Sequence, residues 1–170
     1  RRNDAADAET ICEAVTRPTM RFVEIKTIEQ QSVLILHRTR QMFVRQRTTL
    51  INAIRAHLAE FGIVAQLGRN GVETQLRTIG EREDSRVPEV ARSCLGALVA
   101  QLHLVKRQIL EADRRILAWH RSNETSRRLD CLPGVGPLVA TALVASVPNP
   151  QAFKSGRDLA AWIGLVPKQN

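Results

Sequence analysis

The 170-residue sequence contains no tyrosine, and aromatic residues together make up only 4% of it. Aliphatic side chains must therefore build the hydrophobic core, because hydrophobic residues still account for 44% of the chain. A core rich in leucine, isoleucine, valine and alanine favours packed helices over a β-sandwich, whose strands are enriched in aromatic residues. We therefore expect an all-α fold.

Cysteine and long apolar runs are also scarce. Cys12, Cys94 and Cys131 are far apart, and no pair has the C-x-x-C form or lies near a histidine at metal-ligand spacing. No apolar run approaches the roughly 20 residues of a membrane span, and residues 1–4 do not resemble a signal peptide. The sequence predicts reduced thiols, no metal site built from cysteine or histidine, and no membrane partner.

Acidic residues are too few to balance the basic ones, and the net charge of +8 favours a polyanionic partner such as nucleic acid. No acid occurs between Glu29 and Glu60, and arginines seven residues apart lie along one side of a helix. Such an unbalanced helix predicts phosphate contacts, unless acids from elsewhere in the fold neutralise it. The arginines of this stretch are Arg38, Arg40, Arg45, Arg47 and Arg55.

Two long helices are predicted in residues 28–122. Glycine and proline are absent from 28–61, and Gly62 stands where a helix stop is expected. The second helix begins at Pro88 and runs to about Ser122. Its apolar residues alternate steps of four and three, which is the heptad pattern of a coiled coil. They are Ala91, Leu95, Leu98, Leu102, Val105, Ile109, Ala112, Ile116 and Trp119.

The first helix follows a heptad frame only in part, because Arg40 and Arg47 interrupt it. Two helices of matched length, joined by a connector over 62–87, predict an antiparallel coiled-coil arm. The interrupted frame of the first helix also favours a homodimer through residues 91–119. An ordinary helical bundle within one chain is the alternative.

Beyond Asn123 the predicted helices become short, and the segment 132–137 (LPGVGP) lies between two of them. This arrangement resembles the helix-hairpin-helix motif of DNA repair and recombination proteins. Gly134 and Gly136, on either side of Val135, would let the backbone lie against a phosphate, and free N–H groups at the next helix start would bind it. Such contacts read the DNA backbone and not its sequence. The alternative is a tight turn between packed helices.

Asp4 and Asp7 are three residues apart in a helix predicted over 4–15, so both carboxylates lie on one face. This geometry can share a divalent metal. Aspartate is also common in a first helical turn, where the helix dipole favours negative charge.

Two separate segments together resemble the DEDD transposases of the insertion-sequence 110 group. Residues 3–14 (NDAADAETICEA) are similar to the end of that group's catalytic domain. Residues 132–147 (LPGVGPLVATALVASV) and 153–170 (FKSGRDLAAWIGLVPKQN) are similar to its C-terminal transposase domain. A long helical segment separates the two in the family as it does here, so the resemblance spans essentially the whole chain.

The resemblance implies a RuvC-like catalytic domain in which four acidic residues bind Mg²⁺ for strand cleavage. Asp4 and Asp7 match the last two. The other two would lie upstream of Arg1, and the family's nucleophilic serine beyond Asn170. Ser155 is then expected to cap a helix. We therefore expect an internal fragment, inactive alone and needing no cofactor, of a transposase that is an enzyme at full length.

The predicted domains are the end of a RuvC-like domain (1–27), a coiled-coil region (28–122) and the start of the transposase domain (123–170). The expected function is DNA transposition and recombination of an insertion sequence in the bacterial cytoplasm. This chain would contribute dimerisation and binding of DNA, or of a guide RNA that the resemblance implies. The alternatives are a non-catalytic helix-hairpin-helix DNA-binding and dimerisation protein and a purely structural coiled-coil protein.

Overall fold

The computed structural model describes residues 4–20, 22, 24–64 and 86–165, and the regular structure of these residues is helical throughout. The α-helices are α1 (Asp4–Thr16), α2 (Ile28–Glu60), α3 (Glu89–Ser122), α4 (Glu124–Asp130), α5 (Pro137–Ser146) and α6 (Gly156–Ile163). A 3₁₀ helix, Pro150–Ala152, lies between the last two. The all-α prediction is confirmed. Most of the connector predicted over 62–87 lies outside the described residues.

The chain divides into two compact units, Ile28–Ser146 and a second composed of Arg1–Thr27 with Val147–Asn170. The functional division into 1–27, 28–122 and 123–170 stays a prediction. None of the helices in the described part of the chain is long and apolar enough to cross a membrane.

In the larger unit, α2 and α3 pack against each other in opposite directions. At one end, Trp119 Nε1 near the end of α3 donates a 2.8 Å hydrogen bond to Glu29 Oε1 at the start of α2. At the other end, a buried cluster joins Ile54 near the end of α2 to Leu95 near the start of α3. The antiparallel pairing expected from the sequence is therefore present, while supercoiling of the pair stays a prediction.

The heptad positions of α3 are used inside this unit, where α3 packs against α2 and α5. Six of the nine heptad positions are buried, and the remaining three, Ala91, Leu98 and Trp119, are half-buried. The helix therefore finds cover for its apolar face within one chain. The buried heptad positions are Leu95, Leu102, Val105, Ile109, Ala112 and Ile116.

The interruption of the α2 frame at Arg40 is explained by a polar contact between the two helices. Arg40 forms an ion pair through Nε with the carboxylate of Asp113 on α3, and both side chains are partly buried. A buried arginine needs such a partner, because an unpaired charge is costly to remove from water. The interruption at Arg40 thus gives no separate reason for a second chain, and the homodimer through 91–119 stays a prediction.

The second unit has its own polar and aromatic contacts. Asn149 Nδ2 donates a 2.9 Å hydrogen bond to Glu24 Oε1, and the rings of Phe153 and Trp162 meet edge to face at 5.5 Å. The Ser155 side chain accepts the Asp158 N–H at the start of α6, which confirms the predicted helix cap.

The burial pattern of α3 predicts which leucines stabilise the fold. Leu102 is fully buried, whereas Leu110 on the same helix is 57% exposed. Leu102→Ala is expected to lower the free energy of unfolding by about 2–5 kcal/mol, because it removes buried methyl groups and leaves a cavity. Leu110→Ala should change it by no more than about 0.5 kcal/mol. Urea denaturation of both variants tests this, and equal losses would contradict the packing of α3.

Candidate nucleic-acid interface

The glycine-rich turn predicted from the sequence connects α4 to α5, which pack against each other. Asn123 fixes the start of α4, since its side chain accepts the N–H of Ser126 at 2.9 Å. Past the end of α4, the Val135 N–H donates to the Leu132 carbonyl at 3.0 Å and closes a tight turn. Helix α5 then begins at Pro137, which has no N–H to leave unpaired at the helix start.

Three backbone donors at this turn are unused. Within the described part of the chain, the N–H groups of Gly134, Gly136 and Leu138 have no hydrogen-bond acceptor. They lie at or just before the first turn of α5, where the helix dipole also favours negative charge. The turn therefore offers an anion several N–H donors within a short stretch of exposed backbone.

The two glycines of the turn differ in whether the fold itself requires glycine at their positions. Gly134 has φ +83°, in the left-handed region that side chains rarely adopt. Gly136 does not have a positive φ, and a Cβ added there would meet no heavy atom within 4 Å. Nothing within the described residues requires glycine at 136. Close approach of an outside group to the backbone would require it.

Basic and apolar side chains surround the turn. Arg127 and Arg128 are exposed in the last turn of α4, immediately before it. Leu132 and Val139 are also exposed, on either side of the glycines. The two arginines were not among the residues predicted from the sequence, although a basic pair directly before a glycine-rich turn is a usable signal. They would raise the local concentration of phosphate near the free N–H groups.

A hydrogen bond between α2 and α5 holds the start of α5 in place. The Thr141 hydroxyl lies 2.8 Å from the Pro137 carbonyl, to which it donates, and 3.0 Å from His37 Nε2. With the hydroxyl proton on the Pro137 carbonyl, the matching tautomer of His37 carries its proton on Nε2 and donates to Thr141. Burial, together with the nearby Arg40 guanidinium, lowers the pKa of His37 below the ordinary histidine value. The neutral imidazole thus joins α2 to the first turn of α5.

The five predicted arginines of α2 do not form one surface. Arg38 and Arg45 are exposed, whereas Arg40 and Arg47 are half-buried beside α3. Arg55 is half-buried next to Ile54, in the part of α2 that contributes to the apolar cluster. An acid from elsewhere in the fold does neutralise one of the five, since Asp113 pairs with Arg40.

Arg40 and Arg47 line an open groove of ≈ 410 Å³ between α2 and α3. Lys106 and Asp113 on α3 provide its other charges, and aliphatic side chains complete its walls. Sequence analysis missed Lys106 because it lies outside the acid-free stretch, on the other helix. The aliphatic residues are Val44, Ile109 and Leu110.

Asp4 and Asp7 lie in the first turn of α1, a helix with no buried residue, and both are exposed. Carboxylate oxygens are ligands that Mg²⁺ accepts, so the pair fits part of a magnesium site. No group of three or more potential metal ligands occurs among the described residues. The pair would thus need further carboxylates.

Comparison with known proteins gives consistent matches. Residues 126–170 match the family described as Transposase IS116/IS110/IS902. A Sinorhizobium fredii protein that carries the name transposase is 46% identical over 99% of this chain and 43% of its own length. A protein named as a family 20 transposase of Pseudomonas aeruginosa is 40% identical over 99% of this chain and 50% of its own length.

A third relative is the transposase for insertion sequence element IS1111A of Coxiella burnetii, 37% identical over 99% of this chain and 46% of its own length. The chain therefore spans about half the length of the curated relatives it matches. No solved structure matches it.

The lowered pKa of His37 predicts how stability depends on pH. The unfolded chain, with an ordinary histidine pKa of about 6.5, takes up a proton at higher pH than the folded chain does. The free energy of unfolding should therefore fall as the pH drops below about 6.5, and level off below the folded pKa. Urea denaturation across this range should show a flatter profile for His37→Gln, but not for the matched control His57→Gln. Identical profiles for wild type and His37→Gln would contradict the assignment.

Proposed function

The chain belongs to the IS116/IS110/IS902 family of transposases, and from that premise we propose that it forms part of an enzyme that transposes insertion-sequence DNA. The relatives named as transposases match it over nearly its whole length, which supports the proposal. Transposition requires a protein to hold DNA wherever the element inserts. A contact that reads the DNA backbone suits this requirement.

The turn between α4 and α5 is the proposed contact with duplex DNA, in the manner of a helix-hairpin-helix motif. The observation that carries this assignment is the row of unused N–H groups at Gly134, Gly136 and Leu138. A phosphate oxygen would accept from these donors, and Val135 between the glycines would help to set their direction. Gly136 would let the phosphate approach because no side chain stands in front of the backbone.

Asp4 and Asp7 are the proposed contribution of this chain to the catalytic centre. With further carboxylates of the whole protein they would hold Mg²⁺, which stabilises charge during strand cleavage. Their exposed position at the start of α1 leaves both carboxylates accessible for such a role. The 170-residue chain alone has two of the four carboxylates that the family resemblance implies.

The arginines of α2 are the proposed contact with a guide RNA. Arg38 and Arg45 are exposed, and neither forms an ion pair with a described residue. Their charge is thus accessible to phosphates. Arg55, being half-buried and engaged in an interaction of its own, would contribute less.

Homodimerisation and a bacterial cytoplasmic location complete the proposal. The proposed homodimer uses the 91–119 stretch of α3, where Leu104, Leu110 and Leu117 remain exposed beside the heptad residues that the chain itself covers. Sedimentation equilibrium decides this point, and a chain that stays monomeric at high concentration would contradict it.

The catalytic assignment predicts different results for the chain and for the longer protein. With Mg²⁺ and supercoiled DNA, the 170-residue chain should not cleave, because two carboxylates hold a catalytic metal poorly. In the longer protein, Asp7→Asn should lower the cleavage rate by several orders of magnitude without lowering the melting temperature. Cleavage by the chain alone that Asp4→Ala abolishes would contradict the assignment. Unchanged transposition by the Asp7→Asn protein would favour a non-catalytic DNA-binding role.

The turn predicts that Gly136→Val weakens duplex binding without unfolding the chain. The new side chain meets open space in the protein but blocks the approach of a phosphate. A loss of about tenfold or more in affinity is expected, because a hydrogen bond to a charged group contributes about 1.5–3 kcal/mol. The matched control Gly96→Ala, on α3 and equally free of close neighbours, should bind like wild type. Fluorescence anisotropy measures affinity, and equal values for all three proteins would leave the turn as packing alone.

A further inference from the structure

We infer that the groove between α2 and α3 is a second nucleic-acid site, in which Arg47 and Lys106 hold a phosphate of a single strand and Asp113 restrains Arg40. The inference rests on the proposed function, since it requires a nucleic-acid ligand. It concerns a site separate from the turn between α4 and α5 and from the exposed arginines of α2.

The charges of the groove favour an anion. Three cationic side chains, Arg40, Arg47 and Lys106, line the groove together with the one carboxylate of Asp113. Lys106 also has an interaction of its own, and a phosphate would share the three N–H donors of its ammonium group. Asp113 is committed to Arg40, through an ion pair in which both side chains are partly buried. Arg47 forms no ion pair with a described residue, so its guanidinium can bind an anionic ligand. A phosphate between Arg47 and Lys106 would meet one cation from each helix.

The shape of the groove favours a single strand. Packed helices lie about 8–10 Å apart, so a groove between them is narrow. Its ≈ 410 Å³ is in the range of a small-ligand site, which suits one nucleotide unit and not a duplex. Val44, Ile109 and Leu110 provide an apolar surface on which a sugar or base can lie next to the bound phosphate.

Asp113 sets the selectivity of the groove. Its carboxylate repels a phosphate that lies near it, and its ion pair holds the Arg40 guanidinium in the groove wall. The phosphate is therefore directed towards Arg47 and Lys106. Asp113→Asn would remove the repulsion and release Arg40, so it should tighten binding and raise its dependence on salt.

The test measures binding of the 170-residue chain to a labelled single-stranded oligothymidylate of about 15 nucleotides by fluorescence anisotropy. Arg47→Gln and Lys106→Gln should each weaken binding about tenfold. The slope of log K against log salt should become less steep by about 0.7 for each lost phosphate contact. The matched control Arg107→Gln removes one charge from an exposed position of α3 beside Lys106, and should change affinity less than about twofold.

The same experiment separates the groove from the turn. If Arg47→Gln and Lys106→Gln behave like Arg107→Gln, or if Asp113→Asn weakens binding while its melting temperature is unchanged, the inference is overturned. Loss of duplex binding in Gly136→Val would then still support the turn. If Gly136→Val binds duplex normally while the groove variants lose single-strand binding, the turn fails and the groove stands. An oligouridylate of the same length distinguishes the two sources of a single strand. Tighter binding of the RNA indicates a guide RNA, and tighter binding of the DNA indicates one strand of an opened DNA duplex.

Discussion

Burial of the apolar face of α3 is the constraint on which the rest of the Ile28–Ser146 unit depends. A helix of 34 residues gains little stability from its backbone alone, so tertiary packing must fix it. Six of its apolar heptad residues are buried, and α2 and α5 lie against it. Once α3 is covered in this way, the positions of α2, of α5 and of the turn before α5 follow.

The two surfaces that we propose bind nucleic acid both depend on this packing, one directly and one through intermediate contacts. The groove forms directly between α2 and α3, where Arg40 meets Asp113 instead of an apolar residue. The turn is held less directly: α2 positions His37, His37 donates to Thr141, and Thr141 donates to the carbonyl of Pro137. A substitution of His37 that removes these hydrogen bonds would therefore also disturb the backbone that we propose binds DNA.

Local sequence patterns predicted the helices well. The heptad residues of α3 identified its buried face, and Ser155 was identified as the cap of α6. What the sequence could not provide were contacts between distant residues. Asp113 pairs with Arg40 from 73 positions away, and Lys106 reaches the groove from the opposite helix. At Arg40, the pattern of α2 alone therefore suggests a missing partner chain, where the structure has an ion pair. The different roles of Gly134 and Gly136 also required φ angles and neighbours that composition does not contain.

The central claim is that unused N–H groups at the start of α5 bind a phosphate of duplex DNA. The most direct test is an NMR titration of the ¹⁵N-labelled 19.0 kDa chain with a short DNA duplex. The amide signals of Gly134, Gly136 and Leu138 should shift together as duplex is added, and added salt should reverse the shifts. Saturable duplex binding that leaves these three amides unchanged would contradict it.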